Sequence, residues 1–298
     1  MNIKKFLSYA VKKLNSGKIE FPHLEAELLL SNVLNKRREF ILINPEHKLN
    51  ILQIAAYRLS IAKRLKGFPL AYIVKEKEFY GYNFFVNKNV LIPRPETELM
   101  IDEGLKILYD IKKKKQISII DIGTGSGCIL ISIVNRLLNY KLQIKNYKFF
   151  ASDISKKALS VARKNAKLHK VDKMIKFYKG DLLMPIIKEN LEIRNCNLII
   201  LANLPYLTPS QVKNFSTIRH EPKSALIAGA DGLKYYRILF RQIKKLIEIN
   251  KTPLHLLCEI DPGQVDKIKK LALSLLPEFK LKIKKDLRGL NRLVILFN

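Results

Sequence analysis

The most informative segment of the sequence is Asp121-Ile122-Gly123-Thr124-Gly125-Ser126-Gly127. It follows a short apolar run that starts at Ile117, and it precedes a helical pattern of apolar residues. A glycine-rich turn between a strand and a helix lets the backbone approach a ligand closely at the carboxyl end of the strand. The stretch therefore predicts a cofactor site at one edge of a parallel sheet. The predicted binding residues are Gly123, Thr124, Gly125, Ser126 and Gly127.

The sequence after Pro93 alternates short apolar runs with amphipathic helical patterns. This repetition predicts a mostly parallel, Rossmann-like α/β sheet with helices on both faces. The last two strands are joined only by residues 284–291, too few for a parallel crossover, so the final strand should run antiparallel. The seven predicted strands are 117–120, 148–152, 174–178, 197–202, 253–259, 279–283 and 292–297.

The chain before this sheet has a different organisation. Apolar residues at Ile3, Phe6, Ala10 and Leu14 mark one face of a helix, and similar patterns recur up to the break at residues 67–69. The aromatic-rich residues 78–86 surround a Gly/Asn turn and predict a β-hairpin. The expected organisation is a helical bundle domain (residues 1–74), a hairpin linker (75–92) and a cofactor-binding catalytic domain (93–298).

Acidic residues end the next two predicted strands. Asp153 stands where a carboxylate can accept hydrogen bonds from ribose hydroxyls, a position that dinucleotide enzymes also use. Asp181 follows the third strand, where it can accept from an adenine amino group while Leu182 flanks the ring. A helix N-cap is the alternative for Asp181. Glycines and acids at successive strand ends together favour an adenosine-containing cofactor.

The segment Asn203-Leu204-Pro205-Tyr206 follows the fourth strand and predicts the acceptor site, the alternative being a simple turn. An amide nitrogen is a poor nucleophile, so a site must bind its N–H groups and aim the nitrogen. The Asn203 oxygen and the Leu204 carbonyl can accept those hydrogen bonds, and Tyr206 can stack on a planar group. The predicted catalytic and substrate-binding residues are Asn203, Leu204, Pro205 and Tyr206, and Asn203 is also predicted to contact the cofactor.

This segment resembles the Asn/Asp-Pro-Pro-Tyr signature of methyltransferases that act on planar nitrogens. Other segments resemble the peptide chain release factor N5-glutamine methyltransferase family, and together they span nearly the whole chain. The resemblance implies a class I methyltransferase domain that uses S-adenosyl-L-methionine to methylate the glutamine of the Gly-Gly-Gln motif in release factors. It also implies that the N-terminal domain helps to hold the factor. The matching segments are 67–73, 78–81, 91–98, 221–226, 231–233 with Tyr236, and 286–292.

Two positions depart from the family pattern. Leu204 replaces the first proline of the signature, which frees φ and restores an N–H, so we expect a less preorganised loop and a reduced rate. Residues 259–262, Glu-Ile-Asp-Pro, replace Glu followed by a small or polar residue and Gly. We expect this second departure to lie away from the chemistry. Arg94, Glu96 and Glu98 are expected to fix the linker rather than to touch substrate.

Three other functions are compatible with parts of the sequence. Asn-Leu-Pro-Tyr also resembles the motif of rRNA adenine dimethyltransferases, but those enzymes place the helical domain after the catalytic one. Ribosomal-protein glutamine methyltransferases are closer, although residues 93–98 favour the release factor branch. A degenerate methyltransferase fold that only binds RNA or the ribosome would need cofactor binding without methyl transfer.

The composition limits which partners, location and metal sites can be expected for this chain. The formal net charge of +29 allows a weak attraction to nucleic acid or the ribosome, but the lysines are scattered rather than clustered. No apolar run approaches the roughly 20 residues of a membrane span, so we expect a soluble, cytoplasmic monomer. The 3 cysteines and 5 histidines are dispersed, and no metal site is predicted. The sequence does not specify which release factors are modified.

Overall fold

The computed structural model describes residues 2–111, 116–140, 146–189, 193, 196–214, 218–249 and 253–298. Contacts divide these residues into two compact units. The first contains the chain up to Glu76 together with residues 218–220, and the second contains the remainder. Residues 218–220 group with the first unit because His220 stacks on Phe68 with ring centroids 4.1 Å apart, and Arg219 donates to the Lys66 carbonyl.

The first unit is helical, as predicted. Its first helix is capped by Asn2, whose side chain accepts from the Lys5 N–H, and it buries the predicted apolar face. Glu25 is buried and pairs with Arg64 through two hydrogen bonds of 2.5 and 3.0 Å. Arg64 thereby stabilises a carboxylate that would otherwise lie in a low-dielectric environment without a partner. The helices are α1 (Ile3–Ser16), α2 (Pro22–Leu34), α3 (Arg38–Ile43), α4 (Ile51–Leu65) and α5 (Leu70–Val74).

The predicted hairpin consists of β1 (Glu76–Phe79) and β2 (Tyr82–Phe85). Tyr80 and Gly81 both have positive φ in its turn. The buried Asn165 side chain accepts from the Phe85 N–H at 2.8 Å and donates to the carbonyls of Phe85 at 3.0 Å and Ser126 at 2.8 Å. One amide therefore holds both the hairpin and the glycine-rich turn.

The second unit is built on a seven-stranded sheet in the order β5-β4-β3-β6-β7-β9-β8. The first five strands pair in parallel, and β9 runs antiparallel to both neighbours, which confirms the predicted topology. Every predicted strand lies within two residues of an observed one. The strands are β3 (Ile117–Ile122), β4 (Tyr147–Asp153), β5 (Ile175–Lys179), β6 (Asn197–Ala202), β7 (Leu254–Glu259), β8 (Lys280–Lys285) and β9 (Asn291–Phe297).

Apolar cores lie on both faces of this sheet, so β3 and β6 are buried along their whole lengths. Helices α6, α7 and α8 cover one face, and α9, α11 and α12 cover the other. Among the described residues, every helix is too short or too polar to cross a lipid bilayer. The helices are α6 (Glu98–Ile111), α7 (Cys128–Asn139), α8 (Lys156–Leu168), α9 (Met184–Glu189), α10 (Pro209–Asn214), α11 (Lys234–Ile249) and α12 (Val265–Leu275).

The register of the three central strands positions the predicted site. Ile122 pairs with Ser152 on one side and with Ala202 on the other. The next residues along these strands are therefore Gly123, Asp153 and Asn203, at one edge of the sheet. This edge, where the strand order reverses, is the place at which open α/β sheets bind ligands.

Candidate functional site

The glycine-rich turn bends through backbone angles that other residues rarely adopt. Gly123, Gly125 and Gly127 have φ of 68°, 54° and 81°. A β-carbon on Gly127 would lie only 2.9 Å from Ile131 and 3.3 Å from Ala162, so glycine is also required there for packing. Gly127 precedes the first turn of α7, and the free N–H groups of that turn favour an electron-rich ligand group.

Asp153 joins the glycine-rich turn to β4. One carboxylate oxygen accepts from the Gly125 N–H at 3.0 Å, and the other accepts from the Ser155 N–H at 2.8 Å. Burial raises the pKa of this carboxyl, although both N–H groups favour the ionised form. Each oxygen keeps a further lone pair, so Asp153 can accept from two neighbouring hydroxyls of a ligand.

Asp121 lies behind the turn at the end of β3 and is buried. Its Oδ2 accepts from the Thr124 hydroxyl at 2.6 Å, whereas its Oδ1 has no hydrogen-bond partner within the described residues. Burial, the main cause, and the nearby charge of Asp153 raise the Asp121 pKa to about 7. A cationic ligand group would relieve both effects, because it favours the ionised carboxylate.

One pocket gathers most of the predicted residues. Gly127 and Tyr206 are the predicted residues that do not line its described walls. Leu182 is buried with a φ of 49°, and its carbonyl accepts from the Ser152 hydroxyl at 2.7 Å. The neighbouring Asp181 side chain is exposed. The predicted residues that line the pocket are Gly123, Thr124, Gly125, Ser126, Asp153, Asp181, Leu182, Asn203, Leu204 and Pro205.

Asn203 is oriented by a residue outside the predicted set. Its Nδ2 donates to the Thr97 hydroxyl at 3.0 Å, and Thr97 also lines the pocket. Within the described part of the chain, the Asn203 Oδ1 has no hydrogen-bond partner. This oxygen is therefore available to accept a hydrogen bond from a bound molecule.

Leu204 packs its side chain against the glycine-rich turn. Its side chain is buried, and its Cδ2 lies 3.0 Å from the position of a β-carbon on Gly123. Burial raises the pKa of the nearby Tyr236 well above its usual range, and the Leu204 backbone lowers it slightly. The Tyr236 hydroxyl in turn donates to the Glu259 carbonyl. The less preorganised loop and the reduced rate expected from Leu204 stay predictions.

Tyr206 is partly buried and does not line the pocket. Its hydroxyl donates to Glu259 at 3.3 Å, and its carbonyl accepts from Gln264 at 2.8 Å. Burial, and after it the charge of Glu259, raise the Tyr206 pKa well above its usual range. The stacking of Tyr206 on an acceptor stays a prediction.

Glu259, the first residue of the segment 259–262, contacts a residue of the pocket lining although it does not line the pocket itself. Glu259 is buried, and its carboxylate accepts from Thr97 at 2.6 Å as well as from Tyr206. It is the last residue of β7, which pairs with β6 so that Ala202 lies beside Cys258. The acid-at-a-strand-end pattern that identified Asp153 could have found it, had the order of the strands been known.

Charged residues near the pocket mainly hold loops. Arg94 pairs with the buried Glu221, which also accepts from the Ile92 N–H at 3.1 Å. Glu98 accepts from the Tyr80 N–H in the hairpin turn at 2.8 Å. Arg94 also lines the pocket, so its ion pair positions one wall.

Comparison with known proteins identifies the family. The PrmC N-terminal domain family matches residues 5–74, and a methyltransferase domain family matches residues 113–251. The release factor glutamine methyltransferase of Bacillus anthracis is 32% identical over 270 residues, which cover 90% of both chains. The chain belongs to the release factor glutamine methyltransferase family. Another member, from Dictyoglomus turgidum, is 36% identical over 80% of this chain and 79% of its own.

Longer relatives contain the same region. A bifunctional methyltransferase of Rickettsia bellii is 35% identical over 92% of this chain but only 51% of its own length. The chain thus spans about half the length of the bifunctional relatives that it matches. This family member also shares its fold with the hMettl16 catalytic domain, solved in complex with a MAT2A 3'UTR hairpin. That structure superposes with a TM-score of 0.53 at 16% identity, covering 80% of this chain and 81% of the other.

Proposed function

We propose that this chain transfers a methyl group from S-adenosyl-L-methionine to the side-chain nitrogen N5 of the glutamine in the Gly-Gly-Gln motif of peptide chain release factors. The observation that carries the proposal is the Asn203 amide, held by Thr97 in the pocket shared with the glycine-rich turn. Its available oxygen can bind an N–H group of a planar amide. Membership of the release factor glutamine methyltransferase family supports the choice of substrate.

The residues of the pocket fit this cofactor. Asp153 has the accepting capacity that two ribose hydroxyls need, and Asp181 and Leu182 line the region proposed for adenine. Asp121 lies behind the turn and outside the pocket lining, and its buried oxygen, which has no protein partner within the described residues, would be stabilised by the charge of a cationic ligand in the pocket. When bound, the cofactor supplies a methyl group on a sulfonium, which is already an activated leaving group.

The protein's part in the reaction is to orient the acceptor. Asn203 Oδ1 and the Leu204 carbonyl would accept the two N–H groups of the glutamine amide, which aims its nitrogen at the methyl group. These oxygens also stabilise the positive charge that develops on nitrogen as the new bond forms. The buried side chain of Leu204 helps to exclude water.

Affinity for the cofactor is expected to fall as the pH drops, because Asp121 titrates near neutrality. Its pKa is about 7 in the free protein. A cationic cofactor favours the ionised carboxylate, so below this pKa binding must release a proton. When the pH is lowered from about 8 to about 6, the dissociation constant measured by calorimetry should increase about tenfold.

The variant Asp121→Asn is the control for this pH dependence. Its amide keeps an acceptor for the Thr124 hydroxyl but cannot titrate. We expect its affinity to be nearly constant over the same pH range. An equally steep pH profile in Asp121→Asn would assign the effect to another group.

The function is tested with labelled S-adenosyl-L-methionine and two acceptors, a release factor and naked rRNA. We expect label on the Gly-Gly-Gln peptide when the products are mapped by mass spectrometry. Label on adenine in RNA, and none on that peptide, would refute the proposed substrate. The net charge of +29 makes the RNA arm necessary, because weak binding to RNA is to be expected without any reaction.

A further inference from the structure

Three side chains form a chain of hydrogen bonds that ends in the pocket. Asn203 Nδ2 donates to Thr97 Oγ1 at 3.0 Å, and Thr97 Oγ1 donates to Glu259 Oε2 at 2.6 Å. Thr97 and Glu259 are each only 2% exposed, so water cannot readily replace either partner. The direction of each bond therefore depends on the protein groups alone.

Glu259 sets this direction. Both of its carboxyl oxygens accept hydrogen bonds, one from the Thr97 hydroxyl at 2.6 Å and the other from the Tyr206 hydroxyl at 3.3 Å. Burial raises the pKa of Glu259, whereas the Thr97 hydroxyl and the charge of Arg292 lower it and the charge of Glu96 raises it. Because Thr97 Oγ1 donates to Glu259 Oε2, the one hydroxyl hydrogen of Thr97 points toward Glu259. Only the lone pairs of Thr97 then remain for Asn203.

This arrangement decides which end of the Asn203 amide meets the acceptor. The two ends have nearly the same shape, so steric packing alone distinguishes them poorly. A flipped amide would bring its NH₂ group against the N–H groups of the acceptor, and no hydrogen bond would form. It would also leave two acceptors, Thr97 and the Asn203 oxygen, facing each other.

We propose that Thr97 and Glu259 are positioning residues that lock the Asn203 amide with its oxygen toward the acceptor. This inference rests on the proposed function for its effect on catalysis, but the orientation itself does not depend on the identity of the substrate. It assigns a role to two residues that take no direct part in methyl transfer. Thr97 contacts Asn203, and Glu259 contacts Thr97.

The first test compares Thr97→Val with Thr97→Ser by steady-state kinetics on a release factor. Valine keeps the shape but removes the hydroxyl, so kcat should fall about tenfold, while KM for the factor and the cofactor dissociation constant change about twofold or less. Serine restores the hydroxyl and should recover kcat to within about threefold of the parent. Ser132→Ala, which removes a buried hydroxyl that has no partner in the described chain, should leave kcat unchanged.

The second test observes the amide directly. In ¹H–¹⁵N spectra of the full chain, the Asn203 NH₂ signal is identified by its absence in Asn203→Ala. Thr97→Val should shift this signal toward free-amide values, and Thr97→Ser should not. Because no acceptor is present, this readout holds even if the release factor proves not to be the substrate.

Several outcomes would overturn the proposal. They are an unshifted NH₂ signal in Thr97→Val, a kcat within about twofold of the parent, or a loss that serine does not rescue. If Thr97→Val does not fold, Glu259→Gln provides the test, since its amide can donate to Thr97 and permit the flip. A parent-like NH₂ signal and kcat in Glu259→Gln would refute the role of Glu259.

Discussion

Replacing Asn203 with alanine is expected to lower kcat by about a thousandfold, the effect of losing a preorganised polar group at a reacting centre. The Asn203 oxygen is an acceptor in this pocket that has no competing partner within the described residues. Without it, an amide nitrogen would bind in many orientations, few of them aimed at the methyl group. Single-turnover rates with labelled cofactor measure the loss without interference from product release.

Affinity for the cofactor separates this role from a structural one. Asn203→Ala should bind S-adenosyl-L-methionine within about threefold of the parent, because Asp153 and the glycine-rich turn provide the main proposed contacts. Asn139→Ala is a matched control, since its amide lies on the far end of α7 and donates to the Tyr82 hydroxyl at 3.1 Å. A loss of cofactor affinity as large as the loss of rate would mean that Asn203 has been assigned the wrong role.

The strands of the sheet could be predicted because the patterns that mark them lie within short stretches of the sequence. Apolar runs and the glycine-rich turn mark strand ends along the chain, and Asp153 follows from such an end without any knowledge of the fold. The Thr97 to Glu259 hydrogen bond joins residues 162 positions apart. It depends on β7 lying beside β6, and a chain pattern does not specify strand order. The same holds for Tyr236, whose hydroxyl donates to the Glu259 carbonyl only because α11 packs on the sheet.

Side-chain direction was the other limit. The sequence places Tyr206 next to Asn203, and neighbours along an irregular loop can point to opposite sides. The interior acceptor on Glu259 draws the Tyr206 hydroxyl away from the pocket lining. A burial pattern in sequence does not distinguish a ring that lines a pocket from one that supports it from behind.

Asp153→Ala should weaken binding of S-adenosyl-L-methionine about a hundredfold. Two charge-assisted hydrogen bonds to ribose would be lost, and together they account for about 3 kcal/mol. The substitution also removes the acceptor of the Gly125 N–H at 3.0 Å, which loosens the turn itself. Calorimetric titration of the variant and the parent measures the change.

Asp181→Ala serves as the comparison, because its side chain is exposed and its proposed bond to adenine competes with water. We expect a loss of about tenfold for this variant, smaller than that of Asp153→Ala. If the two variants lost the same affinity, Asp153 would contribute only a ligand contact and no support to the turn. A parent-like affinity in Asp153→Ala would show that the ribose does not bind at this end of β4. It would also contradict the proposed orientation of the cofactor across β3, β4 and β6.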